Sequence, residues 1–405
     1  MLEEIRSQFP ALSARVYGKP LVYLDNAATA QRPLSVTDCW MQLTQEKNAN
    51  IHRAVHYLAG VATEAYEDTR EQVRRFLNAG SREEIIFTSG ATAAVNLVAF
   101  SYGEAFVHEG DEVVVSVAEH HSNLVPWQLL CERKKATLKV LDIDEKGVLC
   151  CEALEKLLSE RTKIVAISHI SNVLGLVNPV QELVSVCHRH GVPVLVDGAQ
   201  GVVHEAVDVQ ALDCDFYVFS GHKIYAATGT GVLYGKKQWL EAMPPYMSGG
   251  EMIGTVSFEK TTFAPLPQKF EAGTQNFNAV PTLSPALDFA RACRANAAVQ
   301  REQSAILSYV YEKLVADPRI TLYGTLQETK IPLFSFSVKG AHHEDLALIL
   351  DKMGVAVRSG QMCAEPLMNR LGITGLLRAS FAPYNTLEEA EYFIKCLDKA
   401  INMLV

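Results

Sequence analysis

The chain has 405 residues, 48% hydrophobic and 20% charged, the balance of a folded globular protein too long for one small core. A net charge of −9 without a basic block argues against a nucleic-acid footprint, and no apolar run approaches the roughly 20 residues of a membrane span. Nine scattered cysteines with no C-x-x-C pair, and a start (Met1 to Pro10) with neither a basic nor an apolar stretch, predict reduced thiols and a cytoplasmic protein.

In chain order, residues 1–17 read as a short amphipathic helix and loop packing with a smaller domain. Leu21 to Asp25 reads as a strand entering the small-residue turn Asn26-Ala-Ala-Thr29. Asn50 to His56 is a polar loop before a helix near 60–78. From Glu84 onward strands and helices alternate, with apolar strand-like runs at 84–88, 112–117, 137–141, 163–168, 192–197 and 215–219, and a last one at 232–234. Parallel strands need crossovers, so this pattern predicts an α/β fold with a mainly parallel sheet covered on both faces. Residues 244–270, rich in Pro and Gly, form the longest irregular segment, and 281–317 is helix-rich. A period-2 strand at 332–338, a helix after His343, a strand at 355–357 and a C-terminal helix predict a smaller α+β domain. The expected division is 1–17, then 18–285, then 286–405.

Chemistry concentrates at strand ends. Ser220-Gly-His-Lys223 directly follows the run Asp215 to Phe219, and Asp197 closes the run that begins at Val192. Carboxyl ends of strands face the ligand crevice in open α/β sheets, so both side chains can share one pocket. Burial lowers the pKa of a lysine toward the amine that attacks carbonyls, and an aldehyde cofactor such as pyridoxal phosphate needs that amine and an acid for its ring nitrogen. The competing reading of Lys223 is a solvated surface residue. Ser89-Gly-Ala-Thr92 opens a helix of about 93–106, where free N–H groups suit a phosphate; an ordinary helix cap reads the same. Arg378 has the planar fork that captures a carboxylate, or is a surface arginine. Cys363 sits in a loop-like context, where a thiolate can be a nucleophile. Neither His120-His121 nor His342-His343 has a zinc spacing, so no metal is expected.

The Asp197 and Lys223 motifs together resemble the signature of fold-type I, class V pyridoxal phosphate enzymes. Arg358-Ser-Gly-Gln-Met-Cys363-Ala-Glu-Pro-Leu367 and Arg378-Ala-Ser-Phe-Ala-Pro-Tyr-Asn385 narrow the resemblance to cysteine desulfurases of the SUF, or selenocysteine lyase-like, branch, from about Tyr23 to the C-terminus. The resemblance implies a mainly parallel seven-stranded sheet, a Lys223-bound pyridoxal phosphate, and a phosphate held by Thr92, Ser220 and His222. It places His120 on the pyridine ring and in proton transfer, Asn172 and Gln200 at the phenolic oxygen, and Ala28, His52, Arg53, Arg358 and Arg378 on the substrate side. Thr274, in Glu271-Ala-Gly-Thr274, would bind the phosphate of a partner subunit, implying a homodimer. The implied reaction converts L-cysteine to L-alanine and leaves a persulfide on Cys363 for a protein acceptor serving iron-sulfur cluster or cofactor assembly. Selenocysteine lyase, cysteine sulfinate desulfinase, class V aminotransferase and a non-catalytic binding partner are the alternatives; Lys223 and Asp197 argue against the last. The chain departs from the family pattern at Ala91, Ala226, Ala227, Gln275 and Met362. Ala226 would be strained if its site requires a positive φ.

Overall fold

The computed structural model describes residues 2–326 and 329–405; Met1, Gln327 and Glu328 lie outside the described residues. Seven strands form the central sheet: β1 (Ile85–Thr88), β2 (Glu112–Ser116), β3 (Thr137–Leu141), β4 (Thr162–Ser168), β5 (Val194–Asp197), β6 (Phe216–Ser220) and β7 (Gly231–Gly235). Their order is β1-β7-β6-β5-β4-β2-β3. The pairs β2–β3, β2–β4, β4–β5 and β5–β6 are parallel, and β7 runs antiparallel to both β1 and β6.

The apolar runs form the inner strands because both faces are covered there, whereas the edge strand β3 is largely exposed. Val165, Ile167, Val194, Val196, Tyr217 and Phe219 enter one core cluster, whereas Ile164, Ala166, Leu195, Phe216 and Val218 enter the other. That strict alternation of side chains is the strand period, so a one-residue slip would exchange every contact. Helix Ala91–Phe106 seals the second face through Ala94, Val95, Leu97 and Val98.

Beyond the helices Leu283–Ala295 and Ala297–Ala316, a four-stranded sheet contains β8 (Ile320–Tyr323), β9 (Leu333–Val338), β10 (Arg358–Gly360) and β11 (Leu376–Ser380), in the order β8-β9-β11-β10. Phe334, Phe336, Leu377 and Ala379 pack against Leu346, Leu350, Phe393 and Leu397 in a separate core. Val22 and Leu24 belong to this core too. The run at 355–357 does not join the four-stranded sheet: Val355–Ala356 pairs in parallel with Val22–Tyr23, and β10 supplies the edge instead. Phe9 is buried between Phe289 (5.2 Å between ring centroids) and Tyr384 (4.5 Å), so the N-terminal segment touches helix Leu283–Ala295 and the C-terminal part together.

Candidate active site

At the carboxyl end of the large sheet lies a cavity of about 220 Å³ whose lining includes Asp197, Lys223, His120, Arg358, Arg378 and Cys363. Register explains the first two. β5 and β6 are adjacent and parallel, with Asp197 opposite Val218, so the carboxylate and the lysine that follows Ser220 leave the same sheet edge. Burial pushes the Lys223 ammonium below the ordinary lysine value, against the pull of Asp197. Burial likewise pushes Asp197 up, against Lys223. The result is a lysine readily freed of its proton, next to a carboxyl group that gains from a nearby cation.

His120 lines the same cavity, and burial, with the charge of Lys223, holds it down at about 4, so its ring is neutral near pH 7. Just ahead of it, Glu119 is 1% exposed and accepts from Ser116 Oγ (2.5 Å), Asn123 Nδ2 (2.7 Å) and the Ser168 N–H (2.9 Å). Burial lifts Glu119 to about 7. Ser168 faces Asp197 across β4 and β5, so this carboxyl ties the His120 segment to the strand that carries Asp197. Only the run of residues around His120 was visible in the sequence; Glu119 itself carried no signal.

The anionic end is built from a helix start. Ser220 Oγ accepts the Ala91 N–H at 2.8 Å, Thr92 Oγ1 and Ser122 Oγ lie 2.7 Å apart, and His222 Nδ1 lies 3.2 Å from Thr29 Oγ1. Ala91, Thr92, Ser122, Ser220 and His222 all line the cavity. Free N–H groups and the dipole of helix Ala91–Phe106 favour an anion there. Gly231 lets the strands close behind it: a Cβ at that position would lie 2.4 Å from the Gly90 Cα.

At the opposite wall, Arg358 and Arg378 face each other directly across β10 and β11. Like charges so placed repel unless an anion sits between them. Asp25 supplies one, 3.1 Å from Arg358 Nε and 3.4 Å from Arg378 Nη2. Arg378 is 2% exposed; it donates to the Asn172 carbonyl at 2.8 Å, and its Nε has no partner among the described residues. Burial pulls it down to about 10. One carboxylate for two guanidinium groups leaves room for a second. Asp25 went unassigned in the sequence because nothing local links it to arginines more than 330 positions away.

The structure places the other expected residues as follows. Ala28 lines the cavity. The amides of Asn172 and Gln200 are engaged with protein rather than aimed freely at a ligand: Asn172 Nδ2 donates to the Met362 carbonyl (2.9 Å) and Gln200 Nε2 to the Ala27 carbonyl (2.8 Å). His52 pairs with Glu67 at 3.1 Å and Arg53 with Glu251 at 2.7 Å, and neither reaches this cavity. Thr274 lines a different pocket, with Phe270, Gly229 and Asn276. The positive φ falls on Tyr225 (70°), not on Ala226, so the alanine carries no such strain.

A model of the aminotransferase class-V family matches residues 22–393. The probable cysteine desulfurase of Vibrio cholerae serotype O1 is 46% identical over 405 residues, covering 100% of this chain and 99% of that protein. The chain belongs to the class V aminotransferase family and, within it, to the cysteine desulfurases. The cysteine desulfurase of Enterobacter sp. strain 638 is also 46% identical, over 100% of this chain and 99% of its own length. Among solved structures, the S-sulfonic acid form of the cysteine desulfurase CsdA from Escherichia coli superposes with a TM-score of 0.91 at 38% identity, covering 100% of this chain and 99% of that one. The apo cysteine desulfurase from Thermococcus onnurineus NA1 gives 0.92 at 34% identity, covering 99% and 98%. The chain thus shares the fold type I architecture of these desulfurases. Among the described helices, none is long and apolar enough to cross a membrane.

Proposed function

We propose that this desulfurase converts L-cysteine to L-alanine with pyridoxal phosphate bound at Lys223, and that Cys363 receives the sulfur. The observation that carries the reading is one cavity holding the lowered Lys223 amine, the Asp197 carboxyl, two guanidinium groups and a thiol. The donor set fits the cofactor: an amine for its aldehyde, Asp197 for the ring nitrogen, and the Ala91 helix start with Thr92, Ser220 and His222 for the phosphate. When bound, pyridoxal phosphate supplies an electron sink for bonds at the amino-acid Cα.

The chain's own residues then divide the work. Arg378, with Arg358, takes the substrate carboxylate, which supplies the second anion between the paired guanidiniums. Lys223 and the neutral His120 move the Cα proton. Asp197 stabilises positive charge at the ring nitrogen. The Cys363 thiolate attacks the substrate sulfur: an S–S bond forms as the C–S bond breaks, the electron pair passes to the departing carbon, and protonation there yields alanine. Cysteine and the Cys363 thiol thus become alanine and a Cys363 persulfide, with no external oxidant. Of nine free cysteines, Cys363 is the one that is exposed. A protein acceptor that takes this sulfur would serve iron-sulfur cluster or cofactor assembly.

A homodimer completes the proposal. Thr274 stands apart from its own chain's cavity, and the hairpin Ile253–Phe263 projects Val256, Phe258 and Phe263 into solvent, as a segment covered by a second copy would. The separate four-stranded sheet and its own core support a smaller part after about residue 285, although Val22 and Leu24 also enter that core and residues such as Leu367 and Tyr384 pack with the large sheet.

Borohydride reduction of the holoenzyme followed by peptide mapping tests the cofactor site; a label on a lysine other than Lys223 refutes it. Cys363→Ala tests the sulfur step. Carbon-sulfur cleavage needs a thiolate acceptor, whereas a selenol leaves more readily, so the variant is expected to keep its colour, lose most alanine production from cysteine and retain a substantial fraction from selenocysteine. An unchanged single-turnover yield of alanine from cysteine removes Cys363 from the role.

A further inference from the structure

The turn that carries Cys363 is held in an unfavourable backbone shape. Met362 and Cys363 both lie at φ 54°, a left-handed conformation that side-chain-bearing residues rarely adopt singly, and here two adopt it in succession. Such a turn persists only where its surroundings over-determine it. Three hydrogen bonds do so. Asn172 Nδ2 donates to the Met362 carbonyl at 2.9 Å, and the His121 N–H donates to the Cys363 carbonyl at 2.7 Å. The Glu365 N–H in turn donates to His121 Nε2 at 3.1 Å.

The third bond is unusual in kind. Glu365 opens the helix Glu365–Leu371, whose preceding residue, Ala364, has no side-chain oxygen with which to cap it. A first-turn N–H normally finds such a cap from its own sequence. Here the cap comes from an imidazole 244 positions earlier in the chain. To accept, Nε2 must be unprotonated and the ring proton must sit on Nδ1. His121 thus grips both sides of the turn, with its backbone on the Cys363 carbonyl and its ring on the helix that follows. His120 beside it, with ring centroids 6.4 Å apart, lines the cavity.

We propose that His121 is a positioning residue for the sulfur-accepting thiol: with Asn172 it clasps the Met362–Cys363 turn so that the Cys363 side chain faces the substrate cavity. The positioning role rests on the reading of Cys363 as sulfur acceptor, whereas the clasp itself does not. Without the acceptor at residue 121, the helix start loses its cap and the turn is free to relax toward ordinary φ values. Lys223, Asp197 and Arg378 make no hydrogen bond to His121 and are left in place.

The test compares holoenzyme carrying His121→Ala with holoenzyme carrying His121→Gln, whose amide oxygen reaches about as far as Nε2 and still accepts. Hydrogen exchange of the peptide spanning 360–371 reads the clasp. In the alanine variant that peptide is expected to exchange about tenfold faster or more, because a local opening replaces a capped turn. Single-turnover alanine release from cysteine is expected to slow by about tenfold or more, since misplacing a reacting group by an ångström costs on that order or greater. KM and the cofactor absorbance should stay at wild-type values, and glutamine should restore both exchange and rate to within about threefold. Two alanine-variant readouts at wild-type values overturn the proposal, as does a glutamine variant as impaired as the alanine one, which would assign the effect to ring shape. Rescued exchange protection with no change in sulfur transfer in any variant overturns the positioning role and points instead at the reading of Cys363, while leaving the clasp standing.

Discussion

Replacing Glu271 by alanine should destabilise the large sheet far more than an ordinary surface ion-pair loss. Arg70 has a fully buried side chain, and all five guanidinium donors are used: on Glu67 Oε2 (3.0 Å) and Oε1 (3.2 Å), the Ile85 carbonyl (2.8 Å), and Glu271 Oε1 (2.7 Å) and Oε2 (2.8 Å). Glu271, 3% exposed, also accepts from Tyr66 Oη (3.2 Å) and the Phe87 N–H (2.7 Å). Removing it leaves the buried Arg70 with Glu67 as its remaining counter-charge, two guanidinium donors without an acceptor and a β1 amide unpaired in the core, a loss of about 3–5 kcal/mol for a broken buried pair. With a urea slope of roughly 2–3 kcal/mol/M, that moves the midpoint down by ~1.5 M. Arg70→Met with Glu271→Met strands neither charge, and should recover at least about half the loss. Because Glu271 binds β1, which leads to the Ala91 helix start, and opens the loop to Thr274, the single variant should also release cofactor faster. A single-variant midpoint within about 0.3 M of wild type, or a double variant as unstable as the single, would refute the reasoning.

Asp197→Asn is expected to retain bound cofactor and lose nearly all turnover, because a neutral amide cannot stabilise positive charge at the ring nitrogen; the ratio of absorbance to activity checks it. Arg378→Met should raise KM for cysteine by about 100-fold or more while leaving borohydride labelling of Lys223 intact, since it removes a buried carboxylate partner. For the apo-protein, burial holds His120, His169, His204 and His222 at about 4, against an ordinary 6.5. The unfolded chain therefore binds more protons than the folded one between about pH 4 and 6.5, and stability should fall as pH drops through that window. Glu119, raised to about 7, is protonated when folded and opposes the trend, so Glu119→Gln should steepen the pH dependence of the urea midpoint.

The inner strands of the sheet were legible because they are buried on both faces and so appear as apolar runs that end where polar residues begin; the edge strand Thr137–Leu141, interrupted by Lys139, is largely exposed. Lys223 and Asp197 were legible for the same reason, as polar groups at the ends of such runs. What escaped were the ion pairs whose partners are distant in sequence. Asp25 with Arg358, and Arg70 with Glu271, are separated by 333 and 201 positions, and no local pattern marks either pair. The strand at Val355 and Ala356 was legible, but its partner was not: the parallel neighbour lies at Val22 and Tyr23, more than 330 positions earlier.

Backbone strain shows where sequence comparison misdirects. Departures from a family pattern drew attention to Ala226 and Met362 as chemical substitutions. Ala226 proves unstrained, because the left-handed residue is its neighbour Tyr225, fully packed against Phe289 at 4.9 Å between ring centroids. Met362 matters in a different way from the one its side chain suggests. It supplies no base, yet its carbonyl is the point by which Asn172, itself bonded through its own carbonyl to Arg378, holds the thiol-bearing turn. The arginine proposed to take the substrate carboxylate and the turn proposed to accept sulfur are thus joined through one asparagine. A change at Asn172 should therefore perturb substrate binding and sulfur transfer together, whereas a change at His121 should perturb sulfur transfer alone, and measuring KM and the single-turnover rate in Asn172→Ala and His121→Ala separates the two.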